Sequence, residues 1–353
     1  MPERRTTLLD VAQRAGVSGA TASFVLTGRD QEMRVSEEAR RRVLRAAREL
    51  SYRPNLLARG LRTNVTHTIA LLSDTVATDQ YAGQMIYGSL AAALEHQHLL
   101  FVAETEGDHA VEAQLIEDLL GRRVDGFIYA AMFTRRAALP RTLRGQPVVM
   151  LNCLSEDDGI PAVVPDEFEA GCAAARALLE AGHRHGIHVV GEPAPHTVAG
   201  HDRLAGIEVA LRAAGVRLAG VIECFWWPEP AYEAVAGFLA AGTRPSALIC
   251  LNDRVAFGAY QALNAAGIAM PEEVSVVSFD DSDLASWLRP PLTSIALPHL
   301  EMGRRAVETL LAKRPPVGVQ RLPMPLRRRA SIAPPAGDAR GKAARSRRLG
   351  PGA

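Results

Sequence analysis

Apolar positions recur at helical spacing at the start of the chain. Over residues 7–26, TLLDVAQRAGVSGATASFVL, Leu8, Val11, Ala12 and Ala15 fall on one stripe. Gly16 ends that helix, because glycine adopts the left-handed conformation cheaply. Ser18 caps a second helix, and Ala22, Val25 and Leu26 continue the apolar face. Two short helices with a tight turn predict a helix-turn-helix, the unit that offers its second helix to the DNA major groove. Ser36 caps a third helix, with Glu37 and Glu38 in the first turn where the helix dipole favours acids. Ala39, Val43, Ala46, Ala47 and Leu50 form its buried face, and arginines occupy the rest. Tyr52-Arg53-Pro54-Asn55 breaks it, and residues 56–62 can form one more short helix.

From Thr68 the pattern changes to short apolar runs alternating with amphipathic helices. Strands are predicted over 69–72, 99–103, 126–130, 148–151, 187–190, 221–224, 248–251, 274–278 and 293–297. Helices are predicted over 82–96, 110–120, 167–181, 203–214, 231–241 and 255–266. Buried strands separated by helices imply parallel sheets covered on both faces. The runs are too many for one compact sheet, so two lobes are expected, with the chain crossing at 166–171 and again near 296–298. Met302, Ala306, Val307, Leu310 and Leu311 form a further apolar stripe.

Asp10-Val11-Ala12, Ala15-Gly16-Val17-Ser18 and Ala20-Thr21-Ala22-Ser23 resemble the start of the lactose-repressor/galactose-repressor family of bacterial transcription regulators. Later strings extend the resemblance through the body: 122–128 (RRVDGFI), 182–184 (GHR), 203–207 (RLAGI), 250–258 (CLNDRVAFG), 278–281 (SFDD) and 290–295 (PPLTSI). The series covers residues 6–333. The resemblance implies an α/β protein with an N-terminal all-α helix-turn-helix head and a two-lobed periplasmic-binding-protein-like body with parallel sheets. The expected domains are a DNA-binding head at 1–54, a hinge helix or linker at 55–66 and an effector-binding and dimerisation body at 67–335. Lobe 1 takes 67–165 and 297–325, lobe 2 takes 166–296 and 326–335, and 336–353 is a disordered basic tail.

By the same resemblance, Gly19, Ala20 and Phe24 face base edges, while Ser18, Thr21, Ser23 and Asn55 position the head on phosphates, with Thr7 beside them. Leu61, with Ala58 ahead of it, holds the position of an apolar wedge that kinks the duplex from the minor groove. The chain departs from the family pattern here. Gly19 and Ala20 have no side-chain donors, and Phe24 stands where the family usually has arginine, so direct readout through the helix is depleted. Gly60 replaces a frequent serine and weakens the hinge helix by about 1 kcal/mol relative to alanine.

Charge sharpens the division. Residues 1–66 hold thirteen arginines and no lysine against seven acids, and the tail is also basic. The span between them is acidic, although the whole chain carries a net charge of only +1. A basic head on an acidic body fits double-stranded DNA as one partner and something else as the other. No apolar run reaches the length of a membrane span. Residues 1–5 precede no apolar segment, so a cytoplasmic location is expected. The four cysteines are scattered and read as reduced core thiols.

Ligands of open α/β sheets bind beyond the carboxyl ends of the strands. There the sequence places Asp74, Asn152, Asn252 and Asp280, short polar side chains suited to hydroxyl groups. By resemblance Arg203, Asn252 and Asp280 grip a sugar-like effector, with Asp74 and Asn152 at two other cleft positions. Trp226 and Trp227 fall where an aromatic lines the family's cleft; being adjacent, only one of them can face it. Tyr81 and Phe133 are further candidates, while Asp253 and Asp281 read as structural. Neither a phosphate-cradling glycine loop, a dinucleotide fingerprint, metal-ligand spacing nor an acid/base pair is present, so no cofactor, metal or catalysis is expected. The chain therefore reads as a homodimeric repressor on a pseudo-palindromic operator, controlled by a small polar effector, a sugar or sugar derivative. The tail lacks the leucine heptads that would make a tetramer. The rival readings are a carbohydrate-binding protein, or an enzyme, with non-specific DNA affinity.

Overall fold

A computed structural model describes residues 6–53, 65–76, 83–157, 159–192 and 198–335. The expectations for Asn55, Ala58, Gly60, Leu61, Tyr81 and the tail 336–353 lie outside these residues. The chain divides into two compact units between Thr66 and His67.

The first unit is a three-helix head: α1 (Leu8–Ala15), α2 (Gly19–Leu26) and α3 (Glu37–Glu49). Its caps are local and complete. The Thr7 hydroxyl accepts from the Asp10 amide, and the Asp10 carboxylate accepts in turn from the Thr7 amide at 2.8 Å. Gly16 closes α1 at φ +62°, Ser18 caps α2 and Ser36 caps α3. Val11, Ala12, Ala15, Ala22, Val25, Val43 and Ala46 make a small core from all three helices.

The second unit holds two six-stranded sheets. Lobe 1 contains β1 (Thr68–Ser73), β2 (Leu99–Glu104), β3 (Phe127–Ala137), β4 (Val148–Ser155), β5 (Ala162–Pro165) and β11 (Val319–Leu322), in the order β11-β5-β4-β3-β1-β2. Lobe 2 contains β6 (Ile187–Val190), β7 (Gly220–Ile222), β8 (Ala247–Cys250), β9 (Ser275–Asp280), β10 (Thr293–Ala296) and β12 (Leu326–Arg327), in the order β12-β10-β9-β8-β6-β7. The lobe 1 helices are α4 (Gly83–Glu95), α5 (His109–Gly121) and α11 (His299–Leu311). Lobe 2 has α6 (Glu167–Glu180), α7 (Val198–Ala213), α8 (Pro228–Ala240), α9 (Asp253–Ala265) and α10 (Asp283–Trp287). The chain passes between the lobes after Pro165, after Ala296 and again between Leu322 and Leu326.

The structure corrects several expectations. The sheets are parallel except at β12, which runs antiparallel to β10. β12 follows β11 of the other lobe after three residues, so it enters lobe 2 where β10 leaves it, at the crossing, and runs back alongside β10. Strands β5 and β11 were not anticipated; each is only four residues long. Strand β3 does not stop at Ala130 but continues through a bulge to Ala137. The stripe at Met302, Ala306 and Val307 packs into the lobe 1 core, with α11 on α4. The four cysteines are free thiols, and burial pushes Cys153 up to about 12, leaving it unreactive.

The crossing of α6 and α7 is unusually close. A Cβ on Gly206 would stand 2.0 Å from the Phe168 carbonyl oxygen, and one on Gly171 would stand 2.1 Å from that of Arg203. Only glycine permits this approach, and the site described below depends on it. Gly206→Ala should therefore cost about 1–3 kcal/mol by forcing the helices apart. A thermal melt of the purified protein checks this; an unchanged midpoint would show that the helices have slack.

Candidate functional site

In the head, the exposed side of α2 carries Ala20, with the half-buried Gly19, Thr21, Ser23 and Phe24 around it. The Ser18 hydroxyl accepts from the Thr21 amide and lies 2.9 Å from the Thr21 hydroxyl, so both are engaged in the cap. Thr7 is likewise engaged with Asp10.

In the body, a cleft between the lobes is lined by Phe133, Thr134 and Asn152 from lobe 1. Glu167, Arg203, Trp226, Asn252, Arg254 and Asp280 line it from lobe 2. Its remaining free volume is about 40 Å³, room for a water or two. A roomier cavity, about 560 Å³, lies elsewhere, at the amino ends of β4 and β5 around Leu143, Val148, Ile160 and Leu310. That cavity is mostly apolar, with Arg144, Gln146, Asp157 and Thr309 among its lining residues.

Arg203 was expected to offer its fork to a ligand, but the fork is taken. Nε donates to Glu167 Oε2 at 2.6 Å and Nη2 to Oε1 at 3.1 Å, while Nη1 donates to the Leu251 carbonyl. The guanidinium also lies 4.5 Å from the Phe279 ring centre and 5.6 Å from that of Trp226. Both members of the pair are almost wholly buried. Glu167 continues the chain of contacts across the cleft: its Oε1 lies 3.3 Å from the Thr134 hydroxyl, whose one proton it shares with Asn152.

Two other expected ligand groups brace the β3 bulge instead. Asn152 donates to the carbonyls of Ala131 and Met132 and accepts from Thr134 at 2.8 Å. Asp74 accepts from the Met132 amide at 2.9 Å and pairs with Arg135 at 3.1 Å, and it does not line the cleft. The bulge aims Phe133 and Thr134 into the cleft. Asn252 lines the cleft while capping α9: its carbonyl accepts from the Val255 amide at 2.7 Å. Trp226 faces the cleft, donating Nε1–H to the Glu192 carbonyl and meeting Phe133 edge to face at 6.0 Å. Trp227 turns away beneath the Arg254 guanidinium, 4.1 Å from its ring centre. Asp253 is structural, accepting from Ser278, Ser282 and Ser294. Asp281 pairs with Arg329 at 2.6 Å.

Asp280 is different. It lines the cleft at φ +108°, and its carboxyl is held well above the ordinary aspartate value. Burial is the main cause; neighbouring Asp253 and Glu167 push the same way against Arg203 and Arg254. Asn152 (φ +55°) and Asp281 (φ +53°) are also left-handed. Strained non-glycine backbone of this kind collects at functional sites.

The family described as "Periplasmic binding proteins and sugar binding domain of LacI family" matches residues 66–319. The bacterial regulatory proteins of the lacI family match residues 7–55. The chain belongs to the LacI family. As a LacI-family protein it is a DNA-binding transcriptional repressor, and its relatives are repressors rather than enzymes. It is 32% identical over 309 residues to the ribose operon repressor of Haemophilus influenzae, covering 87% of this chain and 91% of that one. With the sucrose operon repressor of Escherichia coli it shares 35% over 335 residues, 92% of this chain and 99% of that one. The Lac repressor dimer bound to operator and an anti-inducer has the same fold, at a TM-score of 0.78 and 24% identity, over 94% of this chain and all of that one. No helix among the described residues is long and apolar enough to cross a membrane.

Sequence reasoning missed Glu167, Thr134 and Arg254. Glu167 looked like an ordinary first-turn acid of α6. Its place at the crossing between lobes was the available signal. For Asp280, a folded-state pKa above 3.8 means that the folded protein holds a proton the unfolded chain releases. Its contribution to stability is therefore fully present below that pH and declines as pH rises towards the folded value. Asp280→Asn should raise the melting midpoint, with a gain that grows from pH 4 to pH 8. A gain of equal size at both ends would contradict the shift.

Proposed function

We propose that the effector of this LacI-family repressor is a small, uncharged, hydroxyl-rich ring, a sugar or close derivative, held between the lobes by Asp280 and by the aromatic pair Phe133 and Trp226. The observation that carries this reading is the Arg203–Glu167 pair. With the guanidinium already neutralised, the cleft offers no unpaired buried cation at Arg203 for a carboxylate or phosphate. Asp280 accepts from hydroxyl groups, and the Trp226 and Phe133 rings suit the apolar face of a pyranose or furanose. Relatives named as repressors of ribose and sucrose operons support the same class.

The compartment at Trp226 and Phe133 leaves only about 40 Å³, while a neighbouring pocket of about 480 Å³ shares Asp280, Leu297 and His299, so a sugar seated on the aromatic pair needs the lobes to part. Lobe 1 carries β1, the first strand after the linker, and any change in lobe angle reaches the linker through it. An effector that favours one lobe angle thereby changes operator affinity, and operator DNA changes effector affinity by the same factor. The test is calorimetric titration of the purified protein with neutral sugars, uronic acids and sugar phosphates. A neutral sugar should bind, and Asp280→Ala should weaken it about 3- to 10-fold, the worth of a hydrogen bond between neutral groups. Preferential binding of an anionic sugar would overturn the reading.

We also propose a homodimer seam on lobe 1. Tyr87, Leu90 and Leu94 occupy one face of α4, exposed by 62, 44 and 77%. Beside them Leu99 and Phe101 are exposed on β2, an unpaired sheet edge. An open edge with an apolar neighbour is covered in working proteins, and a second copy aligns two heads on a two-fold site. Leu90→Glu with Leu94→Glu should give a folded monomer in sedimentation, with operator affinity reduced at least 100-fold. A dimer that survives the double change would place the seam elsewhere.

A further inference from the structure

The surface that α2 offers to DNA is almost free of groups that read base edges by hydrogen bonds. The helix, GATASFVL, contains no amide, guanidinium or carboxylate side chain. The hydroxyls of Ser18 and Thr21 are engaged with each other and with the cap. Apart from the half-buried Ser23 hydroxyl, what remains is apolar. Ala20 is exposed, and Phe24, one turn later on the same face, stands apart from the core of the head. Leu9 of α1 is 71% exposed and also lies outside that core. It closes the patch from the other side: a Cβ at Gly19 would sit 3.5 Å from the Leu9 Cδ2. Leu9, Ala20 and Phe24 thus surround a shallow spot left by Gly19. An exposed leucine and a half-exposed phenylalanine on so small a head have no structural use there.

The major groove presents one apolar group among its base edges, the C5-methyl of thymine. We infer that this repressor selects its operator chiefly by packing Leu9, Ala20 and Phe24 against thymine methyl groups, rather than by bidentate hydrogen bonds to purines. Gly19 lets the helix approach closely enough for the short Ala20 side chain to reach a methyl. The arginines of the head supply phosphate affinity without sequence information.

The experiment begins with full-length protein and a random duplex pool at fixed salt. In the selected duplex each thymine is then replaced singly by deoxyuracil, which removes the methyl and leaves every hydrogen-bonding group in place. Affinity is read by fluorescence anisotropy. Loss of about fourfold, the worth of one buried methyl group, is expected at one or more thymines in each half-site. Leu9→Ala and Phe24→Ala sit at exposed or half-exposed helical positions that alanine suits. Each should shrink the uracil penalty at particular thymines and leave the salt slope unchanged. Affinity within twofold after every uracil replacement would overturn the inference. So would selection of a motif whose thymines are dispensable, or of no motif at all.

Discussion

A guanidinium with 2% of its surface exposed cannot stand alone. Removing such a charge from water costs several kcal/mol, and only a partner with matching geometry offsets it. Arg203 has one in Glu167, which meets the fork with both oxygens, and the Leu251 carbonyl takes the remaining nitrogen. That requirement reaches well beyond two residues. The carboxylate stands at the first residue of α6 and the guanidinium in the second turn of α7, so the helices must cross with their backbones touching. Gly171 and Gly206 make the crossing possible. The Thr134 hydroxyl on Glu167 then carries the network from lobe 2 into lobe 1.

The lobe 1 side of the cleft is set by a second constraint. A bulge in β3 leaves backbone groups without ladder partners, and these need partners of their own. Asp74 takes the Met132 amide from the β1 side, while Asn152 takes the Ala131 and Met132 carbonyls from β4. The left-handed backbone at Asn152 is the strain that this bracing tolerates. Both residues are thus needed for the cleft without offering a free group to a ligand, because they hold Phe133 and Thr134 in place. The lining polar groups left without such bracing are therefore few, and on the proposed reading Asp280 is the one that meets an effector.

This explains what was and was not legible in the sequence. The head was readable almost to the residue, because a threonine, two serines and a glycine punctuate its helices through contacts three or four residues apart. The alternation of strands and helices was equally plain, since buried parallel strands are short apolar runs. The two-residue β12 and the four-residue β5 and β11 lack the length to show periodicity. At the cleft, position was legible and commitment was not. Arg203 was located correctly, but its partner lies 36 residues earlier on another helix. Asn152 and Asp74 follow apolar runs as ligand groups do. Nothing local reveals that β3 continues past Ala130 and that its bulge consumes them.

The two recognition surfaces differ in kind, and the difference bears on how the repressor reaches useful specificity. A bidentate contact to a purine discriminates by about 1–3 kcal/mol, whereas one methyl packed against an apolar side chain contributes about 0.8. A head armed with Leu9, Ala20 and Phe24 must sum more and weaker contacts to equal one carrying an arginine on α2. Doubling the head is the direct remedy, since two half-sites read at once add their discrimination. The exposed face at Tyr87, Leu90 and Leu94 would then matter as much to operator choice as α2 does. A change on lobe 1 that leaves the head untouched would relax DNA specificity as surely as a change in the helix that enters the groove.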